Sequence, residues 1–103
     1  MREQFGLSVE VLDKIRSIFR SHPLVEKVIL YGSRAKGNYK PGSDVDLTLI
    51  APKMELSELL QIENEIDDLL LPYKFDLSFF HKIDSETLSD HINRIGLDFY
   101  NRS

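Results

Sequence analysis

Between Ser8 and Phe99 the spacing of apolar residues switches repeatedly between the helical period of about 3.6 and the strand period of about 2. Each amphipathic face must be buried on another element, so alternation of this kind restricts the chain to layered α/β packing. From Ser8, a plausible N-cap, the positions Val11, Leu12, Ile15, Ile18 and Phe19 form a helical stripe that His22 and Pro23 end. Val25 to Tyr31 is rich in β-branched and aromatic residues and halts at Gly32, which reads as a buried strand and a tight turn. Residues 32–43 are polar, hold three of the five glycines and read as a loop with room for one helical turn. Asp44 to Ile50 alternates, with Asp44, Asp46 and Thr48 on one face and Val45, Leu47 and Leu49 on the other. Leu56, Leu59, Ile62, Ile66, Leu69 and Leu70 predict a second helix closed by Pro72, and Lys74 to Phe80 a third strand. Asp84 is the expected cap of a last helix whose stripe of Leu88, Ile92, Ile95 and Phe99 is either core or interface, with core favoured, and in which Gly96 costs about 1 kcal/mol relative to Ala. The expected fold is an α/β (α+β) sandwich, a small mixed sheet flanked by helices.

With 103 residues, 42% of them hydrophobic, the expectation is one domain over 1–103 that buries roughly two-thirds of its unfolded surface without staples. There is no cysteine, which excludes disulfides, thiolate metal sites and thiol catalysis, so a metal would need oxygen or imidazole ligands. Lys and Arg number 13 against 17 Asp and Glu, and the net charge of −4 argues against a generic nucleic-acid binder. Neither a signal-peptide apolar block nor a membrane-length apolar run is present, so a soluble cytoplasmic protein is expected, with no membrane association.

The chemistry concentrates around the second strand. Asp44 and Asp46 stand two residues apart on one strand face, with Cα atoms about 6.5–7 Å apart, close enough to converge on one divalent ion. Alone, such a pair is usually solvent-facing. Upstream, however, Gly32-Ser33 is a turn in which backbone can approach a phosphate closely, followed by Arg34, Lys36 and Lys40. Asp76 lies on the polar face of the third strand, between Phe75 and Leu77, and is either a third carboxylate of the site or an ordinary edge-strand acid. Three acids from two strands are what two magnesium ions need, about 3.5–4 Å apart in a two-metal site.

Gly32-Ser33, ten residues, then Asp44-Val45-Asp46 resembles the Gly-Ser-x10-Asp-x-Asp signature of the DNA polymerase β nucleotidyltransferase superfamily. The fuller run Gly-Ser-Arg-Ala-Lys-Gly to Ser-Asp-Val-Asp-Leu is similar to its minimal nucleotidyltransferase (MNT) branch. The resemblance implies a polymerase β-like core in which Gly32 and Ser33 hold the β,γ-phosphates. Asp44 and Asp46 would then bind two Mg2+ ions, with Asp76 as the third carboxylate, and all three acids would be catalytic. It implies transfer of AMP from ATP to a hydroxyl. Small members of the branch are commonly antitoxins encoded beside HEPN-domain ribonucleases, so the resemblance implies AMP placed on a tyrosine of that toxin partner, with this chain as antitoxin. Larger relatives carry an extra helical domain, so part of the acceptor site is expected from another chain, a second copy or the partner. The alternative reading is a partner-binding module that neutralises a toxin by contact, with little or no turnover.

Other readings fail on residues. Gly32-x4-Gly37 lacks the Lys and Ser/Thr of a Walker loop, having Asn38 and Tyr39 there. Leu49 stands where a calcium loop needs glycine. His22, His81 and His91 share no ligand spacing and receive no role. Directly after Gly32-Ser33, Arg34 is favoured as a phosphate and nucleotide contact over a solvated loop charge, more so than Lys36 or Lys40. Tyr31 is read as core, and Tyr39 either stacks on a base or packs beside the loop.

Overall fold

A computed structural model describes residues 3–102; Met1, Arg2 and Ser103 of the expected 1–103 unit lie outside them. Helix α1 (Val9–Arg20) starts where the Ser8 hydroxyl accepts a hydrogen bond from the Val11 amide. Its last turn is held from the other end of the chain: Arg102 donates to the carbonyls of Arg20, His22 and Val25 at 2.9–3.1 Å. Strand β1 (Lys27–Tyr31) runs into a one-turn helix α2 (Ser33–Lys36), and β2 (Val45–Ile50) leads into α3 (Leu56–Asp67). After β3 (Phe75–Phe79) come a 3-10 turn (Phe80–Lys82), α4 (Glu86–Ile95) and β4 (Leu97–Asn101).

The sheet has the order β3-β2-β1-β4 and is mixed. β1 is antiparallel to both β2 and β4, whereas β3 joins β2 in parallel, as it must when α3 returns the chain to the same end of the sheet. One face is sealed. Val28 and Leu30 of β1 and Val45, Leu47 and Leu49 of β2 are fully buried against Leu12, Ile15 and Phe19 of α1 and Leu59, Ile62 and Ile66 of α3. The other face is covered in part. There α4 lies over β1, with its Ile92 buried, its His91 ring edge-on to Tyr31 at 6.4 Å and its end pressed on Ile29. Among the described residues no helix is long and apolar enough to cross a membrane.

The expected α/β sandwich with a mixed sheet is what forms, and the chain's last segment is where it departs from expectation. Ser85 rather than Asp84 caps α4, accepting from the Leu88 amide at 3.2 Å, and the helix stops at Ile95. Gly96 then lies so close to β1 that a Cβ there would meet Ile29 Cγ2 at 2.6 Å, and the chain continues as a fourth strand. Phe99 therefore belongs to β4 and not to the helical stripe. A register shift opposite Val28/Ile29 lets Phe99 and Tyr100 both be buried, around Phe19 at ring separations of 6.3 and 6.1 Å. The glycine that looked like a defect inside a helix is the point where the helix ends.

Candidate active site

Strand β1 delivers the chain to Gly32, which takes φ 78° and ψ −156°, a combination essentially reserved for glycine. Space requires glycine as well, because a Cβ here would collide with Oδ2 of Asp46. The turn and the acid are thus in direct apposition. From Gly32 the backbone closes one helical turn, with the amides of Lys36 and Gly37 donating to the carbonyls of Gly32 and Ser33 at 3.1 and 3.0 Å. The amides that open such a turn have no partner within it, which makes them donors for an oxyanion.

Asp46 stands opposite Tyr31 across the β1–β2 ladder and beside Asp76 across the parallel β2–β3 ladder. Neighbours in register share a face, so Asp46 and Asp76 project together, with Thr48 and Ser78 one pleat further along. The Ser78 hydroxyl donates to Thr48 Oγ1 at 3.1 Å, forming the polar floor of this half of the sheet. Asp44 is exposed and lies just before β2 rather than within it, because the ladder begins at Val45, whose amide donates to the Lys74 carbonyl at 2.8 Å. The three acids nevertheless feel one another. Burial, then the negative charges of Asp76 and Asp44 and a hydrogen bond with Asp76, hold the Asp46 carboxyl above its ordinary range. Burial likewise raises the Tyr31 phenol, against the opposing effect of its hydrogen bond with Ser78, and the charges of Asp46 and Asp76 add to the rise.

Mutual repulsion of this kind is relieved by a cation, and hard oxygen donors suit Mg2+. Among the described residues no group of three His, Asp or Glu side chains closes around a point as a ready-made metal cage. The donors present, carboxylate oxygens alone, are nonetheless of the kind that Mg2+ and Mn2+ take, with waters and substrate phosphates able to complete the coordination.

The remaining candidates divide. Lys36, at the end of α2, and Lys40, on the loop after it, are both exposed. Arg34 is placed otherwise than a phosphate contact requires: it is 3% exposed, its guanidinium donates to the Ser43 carbonyl through Nε at 3.1 Å and Nη2 at 2.8 Å, and Nη1 donates to the Phe5 carbonyl at 2.7 Å. Its faces are taken by Tyr39 and Tyr73, at 5.0 and 5.3 Å from the ring centroids. The protein itself has used this side chain, and Tyr39 packs beside the loop. Tyr31 is half-buried and belongs to the site's surroundings, as do Thr48 and Ser78, which sequence reasoning passed over. Their signal was there as Asp-x-Thr and Asp-x-Ser on alternating strands, but it becomes legible only once the strands are paired. His22, given no role, is buried away from this site and bonds Glu58 and Glu65 of α3, each at 2.8 Å.

A family model described as polymerase beta, nucleotidyltransferase matches residues 13–103. Among solved structures, a toxin–antitoxin complex with AMP-PNP aligns at TM-score 0.71 and 19% identity, over 89% of this chain and 74% of that one. The MntA–HepT toxin–antitoxin structure aligns at TM-score 0.65 and 17% identity, over 90% and 72%. A structure of tri-AMPylated Shewanella oneidensis HEPN toxin with MNT antitoxin aligns at TM-score 0.66 and 17% identity, over 90% and 71%. At such identities the likeness is one of fold. No curated protein matches the sequence.

Proposed function

This chain belongs to the polymerase β nucleotidyltransferase family, and from that premise we propose that it transfers AMP from ATP to a hydroxyl of a protein partner, a tyrosine of a HEPN-type toxin, and so acts as a cytoplasmic antitoxin. The observation that carries the reading is the apposition of Gly32, Asp46 and Asp76, a phosphate-type turn pressed on one acid that shares its strand register with the next. Two solved relatives in fold support the choice of nucleotide and partner, one holding AMP-PNP and one holding an AMPylated HEPN toxin.

In this reading Gly32 and Ser33 receive the β,γ-phosphates through backbone amides and the Ser33 hydroxyl, and Asp44, Asp46 and Asp76 hold two Mg2+ ions. Bound Mg2+ supplies neutralisation of phosphate charge and activation of the attacking hydroxyl. The acceptor oxygen forms a bond to the α-phosphorus as the bond from that phosphorus to the bridging α,β-oxygen breaks, and pyrophosphate leaves with the electron pair. The hydroxyl proton passes to a neighbouring carboxylate or water. What the chain itself contributes is placement: the turn amides would donate to the phosphate oxygens, and the three carboxylates would hold the cations that neutralise phosphate charge. Arg34, engaged by two backbone carbonyls and two rings, is given no nucleotide contact in this reading.

The test is incubation with ATP labelled at the α-phosphate, Mg2+ and the protein encoded by the adjacent gene. Label on a tyrosine of that protein is expected, with Asp46→Asn lowering the rate by about a hundredfold or more, the scale on which removing one preorganised electrostatic group acts. Unlabelled partner in a stoichiometric, inactive complex would overturn the enzymatic reading in favour of inhibition by contact.

A further inference from the structure

Three catalytic segments of the proposed site meet at one side chain that touches none of the reacting groups. Arg34 follows Ser33 directly in the chain. Through Nε and Nη2 it grips the carbonyl of Ser43, the residue before Asp44, and it stacks on Tyr73, three residues before Asp76. We propose that Arg34 is the positioning residue that sets Asp44 relative to the phosphate turn and to Asp76. The proposal rests on the nucleotidyl-transfer reading above.

The argument starts from what else holds Asp44. It is exposed and outside the β2 ladder, and its first anchor on the C-terminal side is the Val45 amide on the Lys74 carbonyl. On the N-terminal side the chain has left α2 at Gly37, and residues 36–38 and 40–42 are exposed. Ser43 is held by a turn with Lys40, whose carbonyl accepts from the Ser43 amide and whose amide donates to the Ser43 hydroxyl, both at 2.9 Å, and the two-pronged grip on the Ser43 carbonyl fixes the Ser43–Asp44 peptide plane. That plane ends at the Asp44 Cα, so the grip sets where Asp44 sits and, with Val45 anchored on the other side, narrows the directions its side chain can take. The guanidinium is in turn immobilised. Nη1 is held by the Phe5 carbonyl, and the two tyrosine rings close its faces. Gly6 packs so closely that a Cβ there would meet Arg34 Nη1 at 2.7 Å.

A buried cation is expensive to maintain, and among the described residues Arg34 has no carboxylate within ion-pairing distance. Its donors go to backbone carbonyls of two segments distant in sequence. Lysine cannot reproduce this, because an ammonium is a point donor without the planar fork that grips one carbonyl from two nitrogens and stacks between rings.

The test is Arg34→Lys, read by Mn2+ binding to the nucleotide-free chain, by steady-state AMP transfer and by thermal unfolding. A misplacement of about 1 Å at a reacting centre costs on the order of a hundredfold, so kcat is expected to fall roughly ten- to a hundredfold, with KM for ATP changed less than about threefold. Mn2+ affinity should fall about tenfold, because the ligands lose their preorganisation. A direct phosphate contact would instead raise KM and leave Mn2+ binding to the free chain unchanged. A purely structural role would lower the unfolding temperature alone. Either pattern overturns the proposal, as does wild-type behaviour of the variant. If Arg34→Lys does not fold, Tyr39→Leu, which opens one face of the guanidinium while keeping its hydrogen bonds, is expected to weaken Mn2+ binding about threefold, and unchanged binding overturns the proposal. Should the wild-type chain transfer no AMP, the Mn2+ measurement still decides the role of Arg34, so the two failures are distinguishable.

Discussion

The two faces of this sheet carry the same strands and have opposite fates. On one, Val28, Leu30, Val45, Leu47 and Leu49 are sealed beneath α1 and α3. On the other, α4 covers Ile29 and Tyr31 of β1 and stops, and the β2–β3 half presents Asp46 and Asp76 over a floor of Thr48 and Ser78. In β2 the apolar positions Val45, Leu47 and Leu49 are completely buried, whereas Asp46 is buried only in part. That partial burial lifts the Asp46 carboxyl and brings like charges within reach of each other. A cluster of repelling carboxylates does not stabilise a fold, and this is the physical ground on which the proposed function places the chemistry on the half-covered face.

Adjacent residues on one strand separate the two faces most sharply. Leu47→Ala is expected to cost about 2–5 kcal/mol in chemical denaturation, the usual range for a fully buried leucine, while the molecules that remain folded keep their transfer rate. Asp46→Asn, one residue away, should lower transfer by about a hundredfold or more yet leave stability within about 1 kcal/mol of wild type or above it, because it removes a like charge. If both variants lose stability equally, the division of labour between the faces is wrong.

A smaller effect is expected at the junction of the two regions. Gly32→Ala must carry a Cβ at positive φ, and strain there runs to about 1–3 kcal/mol. The new methyl meets the Asp46 carboxylate, so transfer should fall at least about tenfold even at temperatures where the variant is fully folded. Activity equal to wild type would mean that Asp46 can move aside without consequence.

The smallest effect belongs to the sealed side. Burial lowers the His22 pKa, but hydrogen bonds and charge from Glu65 and Glu58 outweigh it, so the folded value lies above the ordinary 6.5. A raised folded pKa stabilises fully below the unfolded value and is lost as pH rises through the folded one. The unfolding temperature should therefore decline as pH rises from below about 6.5 through the folded value, and His22→Gln should flatten that decline. A wild-type slope that survives the substitution would assign the pH dependence elsewhere.

Much of this was readable in advance where the controlling physics is local. The Ser8 cap, the stripe of α1, the strands around Leu30 and Leu47 and the Gly32-Ser33 turn all follow from period, capping and backbone freedom within a few residues. Local reasoning fell short where distant groups decide. Phe99 extended a helical stripe on spacing alone, whereas Gly96 ends the helix and the edge of β1 recruits the last five residues as β4. Arg34 sat beside a phosphate-type turn, and nothing in its neighbours revealed that carbonyls from residues 5 and 43 and rings from residues 39 and 73 would take every side of it.

The sequence by itself determined which residues alternate, which face of each strand is charged and where the chain must turn on glycine, because those depend on short-range sterics and periodicity. Only the tertiary structure decided that Asp46 lies beside Asp76 rather than another strand's residue, that β4 borders β1 and that Arg34 bonds the residue before Asp44. Alternation specifies a face and leaves the neighbour open. Strand register and the partners of a buried guanidinium are settled by groups far apart in the chain, and only when the whole sheet has closed do they meet.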